Sequence, residues 1–181
     1  MAHIPVNHPL APLYRFLAGV AGAYVLAFGI VGLVETWGHP IFERGGTFAL
    51  GLHTNLAFSL LSVVVGAVVL GGVLIGGNPA HWINMVGGGV FLLAGLAMLA
   101  LMQTDLNLLN FSVATCVASY AIGLAMLLSG LYDKVGPPEA AEAEERFRRM
   151  AGEDPLAHRW RTEGRYPKRP APDGPDGHRF A

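Results

Sequence analysis

Apolar residues in this chain fall in four long unbroken runs, not in the alternation of a half-buried strand or the one-sided stripe of a soluble helix. The runs cover about residues 14–35, 54–75, 82–103 and 108–131. A bilayer core about 30 Å thick takes about 20 apolar residues in a helix, and each run is that long. Turn-forming groups separate them: Trp37-Gly38-His39-Pro40, Gly76-Gly77-Asn78-Pro79 and Thr104-Asp105-Leu106-Asn107. The pattern predicts an all-α fold, a bundle of four transmembrane helices over residues 14–131. The first run, Phe16 to Val34, exceeds the about 7–15 residues of a signal-peptide core, and no Ala-x-Ala site follows it. It is expected to stay as an anchor.

Charge sharpens the picture. No Asp, Glu, Lys or Arg occurs between Arg44 and Asp105, where a soluble domain would carry about fifteen. Nine of the twelve basic and nine of the thirteen acidic side chains lie beyond Gly136. The chain therefore divides into an N-terminal arm (1–13), a greasy membrane domain (14–131) and a charged tail (132–181). The tail's balanced charge gives no basic face for nucleic acid. Lys and Arg near the span ends set orientation: Arg15, Lys134, Arg146, Arg148 and Arg149 fall on the side of the termini, Arg44 on the other. Both termini are expected to be cytoplasmic, in a multi-pass protein of the cell membrane. Tyr14, Trp37, Trp82 and Tyr132 stand at the predicted interfaces.

In the tail, Pro137-Pro138 and the Glu-rich stretch after them suit a short cytoplasmic helix over about 138–151, supported by Glu142/Arg146, Glu144/Arg148 and Glu145/Arg149 at i,i+4. Beyond Gly152 the Pro-, Gly- and charge-rich composition predicts disorder. Pro5 and Pro9 suggest an extended arm packing beneath the bundle.

Small residues four apart mark faces where helices approach closely in lipid. Such pairs are Ala18/Gly22, Ser62/Gly66 and Ala67/Gly71, and the longest stripe is Ser112, Thr115, Ser119 and Gly123. A faint internal repeat joins Glu35-Thr36 and Gln103-Thr104 with Phe58-Ser59 and Phe111-Ser112; chance matches of this length are as common as duplication.

Three stretches carry a resemblance to a known family: Pro5-Val-Asn7-His8-Pro9-Leu-Ala-Pro-Leu-Tyr14-Arg15, then Gly51-Leu-His-Thr54-Asn55-Leu-Ala-Phe58, then Ser129-Gly-Leu-Tyr132-Asp-Lys134-Val-Gly136. Together they resemble the landmarks of a family of small bacterial four-span membrane proteins, the domain-of-unknown-function family numbered 4383. The resemblance covers about residues 3–136 and implies a four-helix membrane fold, with no activity attached. Ala11 stands where the family pattern has a basic residue.

Candidate chemistry is sparse. His3, His8 and His81 fall on one side of the expected membrane and His39 and His53 on the other, so His53 and His81, about a bilayer thickness apart, cannot share a haem. Gly87-Gly88-Gly89 lies inside a span with no preceding strand and is not a phosphate cradle. Cys116 is the single cysteine, which excludes an internal disulfide. No nucleophile with a base, no metal set and no cofactor site is assigned. The leading reading is a non-enzymatic structural or accessory membrane protein, in contact with the bilayer and with a membrane-protein partner or further copies of itself. The alternative is a small transporter or lipid-binding protein, which requires a hydrated cavity near Ser59, Ser62, Thr115 and Ser119.

Overall fold

The computed structural model describes residues 10–136; the expected helix at 138–151, the tail beyond it and most of the arm lie outside that range. Four helices dominate: α1 (Ala11–Thr36), α2 (Leu56–Ile75), α3 (Gly77–Leu101) and α4 (Val113–Tyr132). All four are long and apolar enough to cross a membrane. At 1.5 Å per residue the shortest, of 20 residues, spans about 30 Å. A small antiparallel hairpin, β1 (Phe48–Ala49) and β2 (Leu52–His53), sits between α1 and α2. Its two-residue turn places Leu50 and Gly51 at φ 45° and 84°, the left-handed pair that matches the twist of short hairpins.

The burial pattern is inverted relative to a water-soluble bundle. Phe16, Val34, Leu74, Leu93 and Leu96 face outward. Inside lie Ser59, Ser62, His81, Asn84, Thr115, Ser119 and Ser129. Hydrocarbon solvent explains both halves: apolar side chains need no shelter from it, and polar groups must find partners within the bundle.

Glycine sets how closely the helices approach. In the α1/α2 seam, a Cβ on Gly66 would lie 2.5 Å from the Leu26 nitrogen, and one on Gly29 would lie 2.6 Å from the Val63 nitrogen. The α3/α4 seam repeats this with Gly88 and Gly123, each 2.7–2.9 Å from the other's carbonyl oxygen at the Cβ position. Backbones thus touch directly in two hairpins, which pack together through α1 with α4 and, less extensively, α2 with α3.

Two span boundaries differ from expectation. The third helix begins at Gly77, not near residue 82, and Gly76 alone separates it from α2. Gly76 and Gly77 adopt φ +71° and +62°, which reverses the chain in one step, and Pro79 falls in the first turn of α3, where a missing N–H costs no helix bond. The fourth helix begins at Val113, not near residue 108. Residues 108–112 form a loop in which Asn110 is left-handed (φ 56°) and Ser112 caps the helix by accepting from the Thr115 N–H.

That cap corrects one helix-packing expectation: Ser112 serves its own helix. Thr115, Ser119 and Gly123 of the same stripe are buried, as are Ser62 and Gly66 on α2. Gly71 departs from the expectation, since a Cβ there would meet nothing within 4 Å, and its partner in the pair, Ala67, is exposed.

Candidate functional site

At the end of the bundle where α1 begins and α4 ends, the first and third family-like stretches meet. The Arg15 guanidinium donates through Nη2 to Asp133 Oδ1 at 2.9 Å and through Nε to Oδ2 at 3.4 Å. Asp133 is 1% exposed and Arg15 38%, so the carboxylate is sealed while the guanidinium reaches the surface of the bundle. Beside this pair Tyr14 stacks on Tyr132 with ring centroids 4.5 Å apart. The Ser129 hydroxyl donates to the Tyr14 carbonyl at 2.5 Å. His81 Nδ1 lies 2.6 Å from the Gly130 carbonyl, which ties α3 to α4 at the same depth.

The opposite end is held by asparagines. Asn55 caps α2 by accepting from the Phe58 N–H at 2.9 Å, and its amide donates to the Leu108 carbonyl at 2.8 Å. Asn110 donates to the Gly45 and Thr54 carbonyls, both at 3.0 Å. Asn107 donates to the Phe111 carbonyl and accepts from the Phe111 N–H. The Thr54 hydroxyl lies 2.9 Å from that of Ser59, against Gly32. Phe58 packs between Phe28 and Phe111 at 5.1 and 4.9 Å. Tyr14, Arg15, Thr54, Asn55 and Phe58 of the family-like stretches are thus structural ties at the two ends of the bundle. Pro5, Asn7, His8 and Pro9 lie outside the described residues, as does His3.

Between the two ends α2 and α3 stand apart. The space between them is a crevice of about 580 Å³ running from Phe58, Leu61 and Phe111 to Trp82 and Ile83. Its walls are almost wholly apolar; Ser62 and Ser119 reach its edge. Deeper, beside Tyr24, Phe28 and Thr115, lies a void of only about 30 Å³, about the share of one water molecule in the liquid. Of the four side chains around which the transporter alternative requires a hydrated cavity, Ser59 is fully buried and donates to the Asn55 carbonyl at 2.9 Å and Thr115 lies 3.0 Å from Ser112, while Ser62 and Ser119 border both spaces.

No group of three or more metal-ligating side chains occurs among the described residues. His53 instead packs on Phe48, and His39 bonds Glu43 at 2.6 Å. Sequence reasoning missed Asp133, His81 and Asn107 as structural groups, and took Asn110 for a polar bridge within the fourth span, where the structure has it in the loop before α4. It also missed Asn84, whose buried amide finds no partner among the described residues. The one signal for Asp133 was its place beside Tyr132 in a family-like stretch.

By length and apolarity of its helices, then, the chain has the form of a multi-pass membrane bundle. Comparison with protein-family models, with curated proteins and with solved structures returned no match.

Proposed function

We propose that the chain is a non-enzymatic accessory protein of the cell membrane, whose open α2/α3 seam receives an apolar partner. The observation that carries this reading is the crevice itself, about 580 Å³ of apolar space in a bundle whose two hairpin seams are closed to backbone contact. Leu61, Val64, Val68, Val86 and Val90 are exposed along it, the kind of surface into which another transmembrane helix sets its side chains. A photo-crosslinking amino acid at Val86 tests this in intact membranes. A discrete crosslinked protein is expected; labelled lipid alone, at Val86 and Val68 alike, overturns it.

A lipid-binding role is the second reading, favoured by the same apolar lining. Passage of small polar solutes loses its support with the packing of Ser59 and Thr115. The three family-like stretches support placing the chain with the bacterial four-span family numbered 4383. Cytoplasmic termini follow from the excess of basic residues on that side. A cysteine placed at Gly152 is expected to resist an impermeant maleimide on intact cells while one at Ser112 reacts; labelling at Gly152 reverses the orientation.

A further inference from the structure

A second groove, sharing no lining residue with the α2/α3 crevice, lies against α1. It has a volume of about 600 Å³ and is lined by Pro12, Phe16, Gly19 and Ala23 of α1 and by Val73 of α2, with Arg15 at its polar end. From Arg15 to Ala23 the helix rises about 12 Å, most of the about 15 Å hydrocarbon depth of one leaflet. Gly19 lies in its wall facing Val73, which a Cβ there would approach to 3.6 Å.

Arg15 stands where a lipid headgroup would lie. The stacked Tyr14–Tyr132 pair marks interfacial depth beside it, and the guanidinium packs directly on Gly76, 2.6 Å from that residue's Cβ position. Gly76 immediately precedes α3, so the positive pole of that helix adds to the local potential. Among the described residues this end carries Arg15 and Lys134 against Asp133 alone, whereas the other end carries Glu35, Glu43 and Asp105 against Arg44. Asp133 is buried and takes its two bonds from the Nε/Nη2 edge of the guanidinium, which stays partly exposed and lines the end of the groove.

We propose that this groove is a binding site for an anionic phospholipid, its phosphate held at Arg15 and one acyl chain laid along Phe16, Gly19 and Ala23. The site depends on residence in a bilayer but not on the α2/α3 crevice or its partner. A neutral lipid would fill the apolar part equally well; the charge complementarity at Arg15 selects an anionic one.

Spin-labelled phosphatidylglycerol and phosphatidylcholine are compared for association with the purified full chain, reconstituted in phosphatidylcholine vesicles. The expected result is a preference for the anionic lipid of about two- to fivefold, the upper figure matching about 1 kcal/mol for one cation near an anionic surface. Arg15→Gln combined with Asp133→Asn removes both charges without stranding a buried carboxylate, and should bring the ratio to about one. Ala23→Phe fills the groove, touches no polar tie, and should also reduce the preference. Equal association of the two lipids with the unaltered protein overturns the proposal, and so does a preference that survives the charge-removing pair. Loss with that pair but not with Ala23→Phe overturns the seated acyl chain. Failure of the protein to enter vesicles at all would instead sink the membrane reading, a different result on the same preparation.

Discussion

The closed α1/α2 and α3/α4 seams and the open α2/α3 seam are built from the same helix types in the same solvent, yet they pack oppositely. The closed seams bring glycines against backbone: Gly29 and Gly66 in one, Gly88 and Gly123 in the other. The open seam lines its crevice with Val65, Val68 and Val69 of α2 and Ile83, Val86 and Val90 of α3; a glycine contact there, Gly72 against the Ile83 side chain, lies close to the Gly76 link. In hydrocarbon there is no water to expel, so adhesion comes from close contact and internal hydrogen bonds. Glycine set against backbone permits that contact; a glycine filled by a branched side chain, as Gly72 is by Ile83, does not bring the backbones together. The difference lies in one or two positions per turn, not in overall hydrophobicity.

The sharpest way to break this contrast is Gly66→Leu. With the Leu26 backbone 2.5 Å from the Cβ position, the seam has to part, and a loss of about 3 kcal/mol is expected, at the top of the range for overpacking. Unfolding by sodium dodecyl sulfate titration measures it, and an unchanged midpoint would show that the seam is not the glycine-set contact described. Next in size is Arg15→Ala. It leaves Asp133 buried without its cation, and about 2 kcal/mol is expected, below the about 3–5 kcal/mol of a fully buried pair because the guanidinium is partly exposed. Asp133→Asn in that background should recover part of the loss by the same titration. Asn55→Ala removes an α2 cap and a tie to the Leu108 carbonyl, for about 1–2 kcal/mol; faster amide exchange at Phe58 is the local check. The smallest effects belong to the open positions. Val90→Ala in the crevice wall and Gly71→Ala, which has free space at its Cβ, should each stay within about 0.5 kcal/mol. A large loss at Val90 would mean that the seam is closed in the bilayer.

The four spans were legible because a run of some 20 apolar residues needs no knowledge of its neighbours to be recognised. Their junctions were not. Gly76-Gly77-Asn78-Pro79 reads as a loop, but two left-handed glycines reverse the chain so quickly that Asn78 and Pro79 already belong to α3. Spacing likewise marks a pair of small residues without saying which way it faces. Gly66 and Gly71 are five positions apart, about 140° around a helix, and one is pressed on α1 while the other looks out. The ties at the ends were hidden for another reason. Arg15 and Asp133 are 118 positions apart, and nothing local to either announces the other. Asn107 looked like loop punctuation, and Asn55 and Asn110 like polar residues inside spans, yet Asn55 and Asn110 hold carbonyls across the loop end and Asn107 braces its own loop.

The α2/α3 crevice is framed at head and sill. At one end Gly76 alone links the two helices; at the other, the Asn55 bond to Leu108 and the Phe58–Phe111 contact tie the start of α2 to the segment that leads from α3 into α4. With both short sides fastened, the opening works as a window in a wall and not as a pipe through it. Whatever occupies it arrives broadside from within the membrane plane, so access follows lateral diffusion among lipids and is indifferent to concentrations in the water on either side.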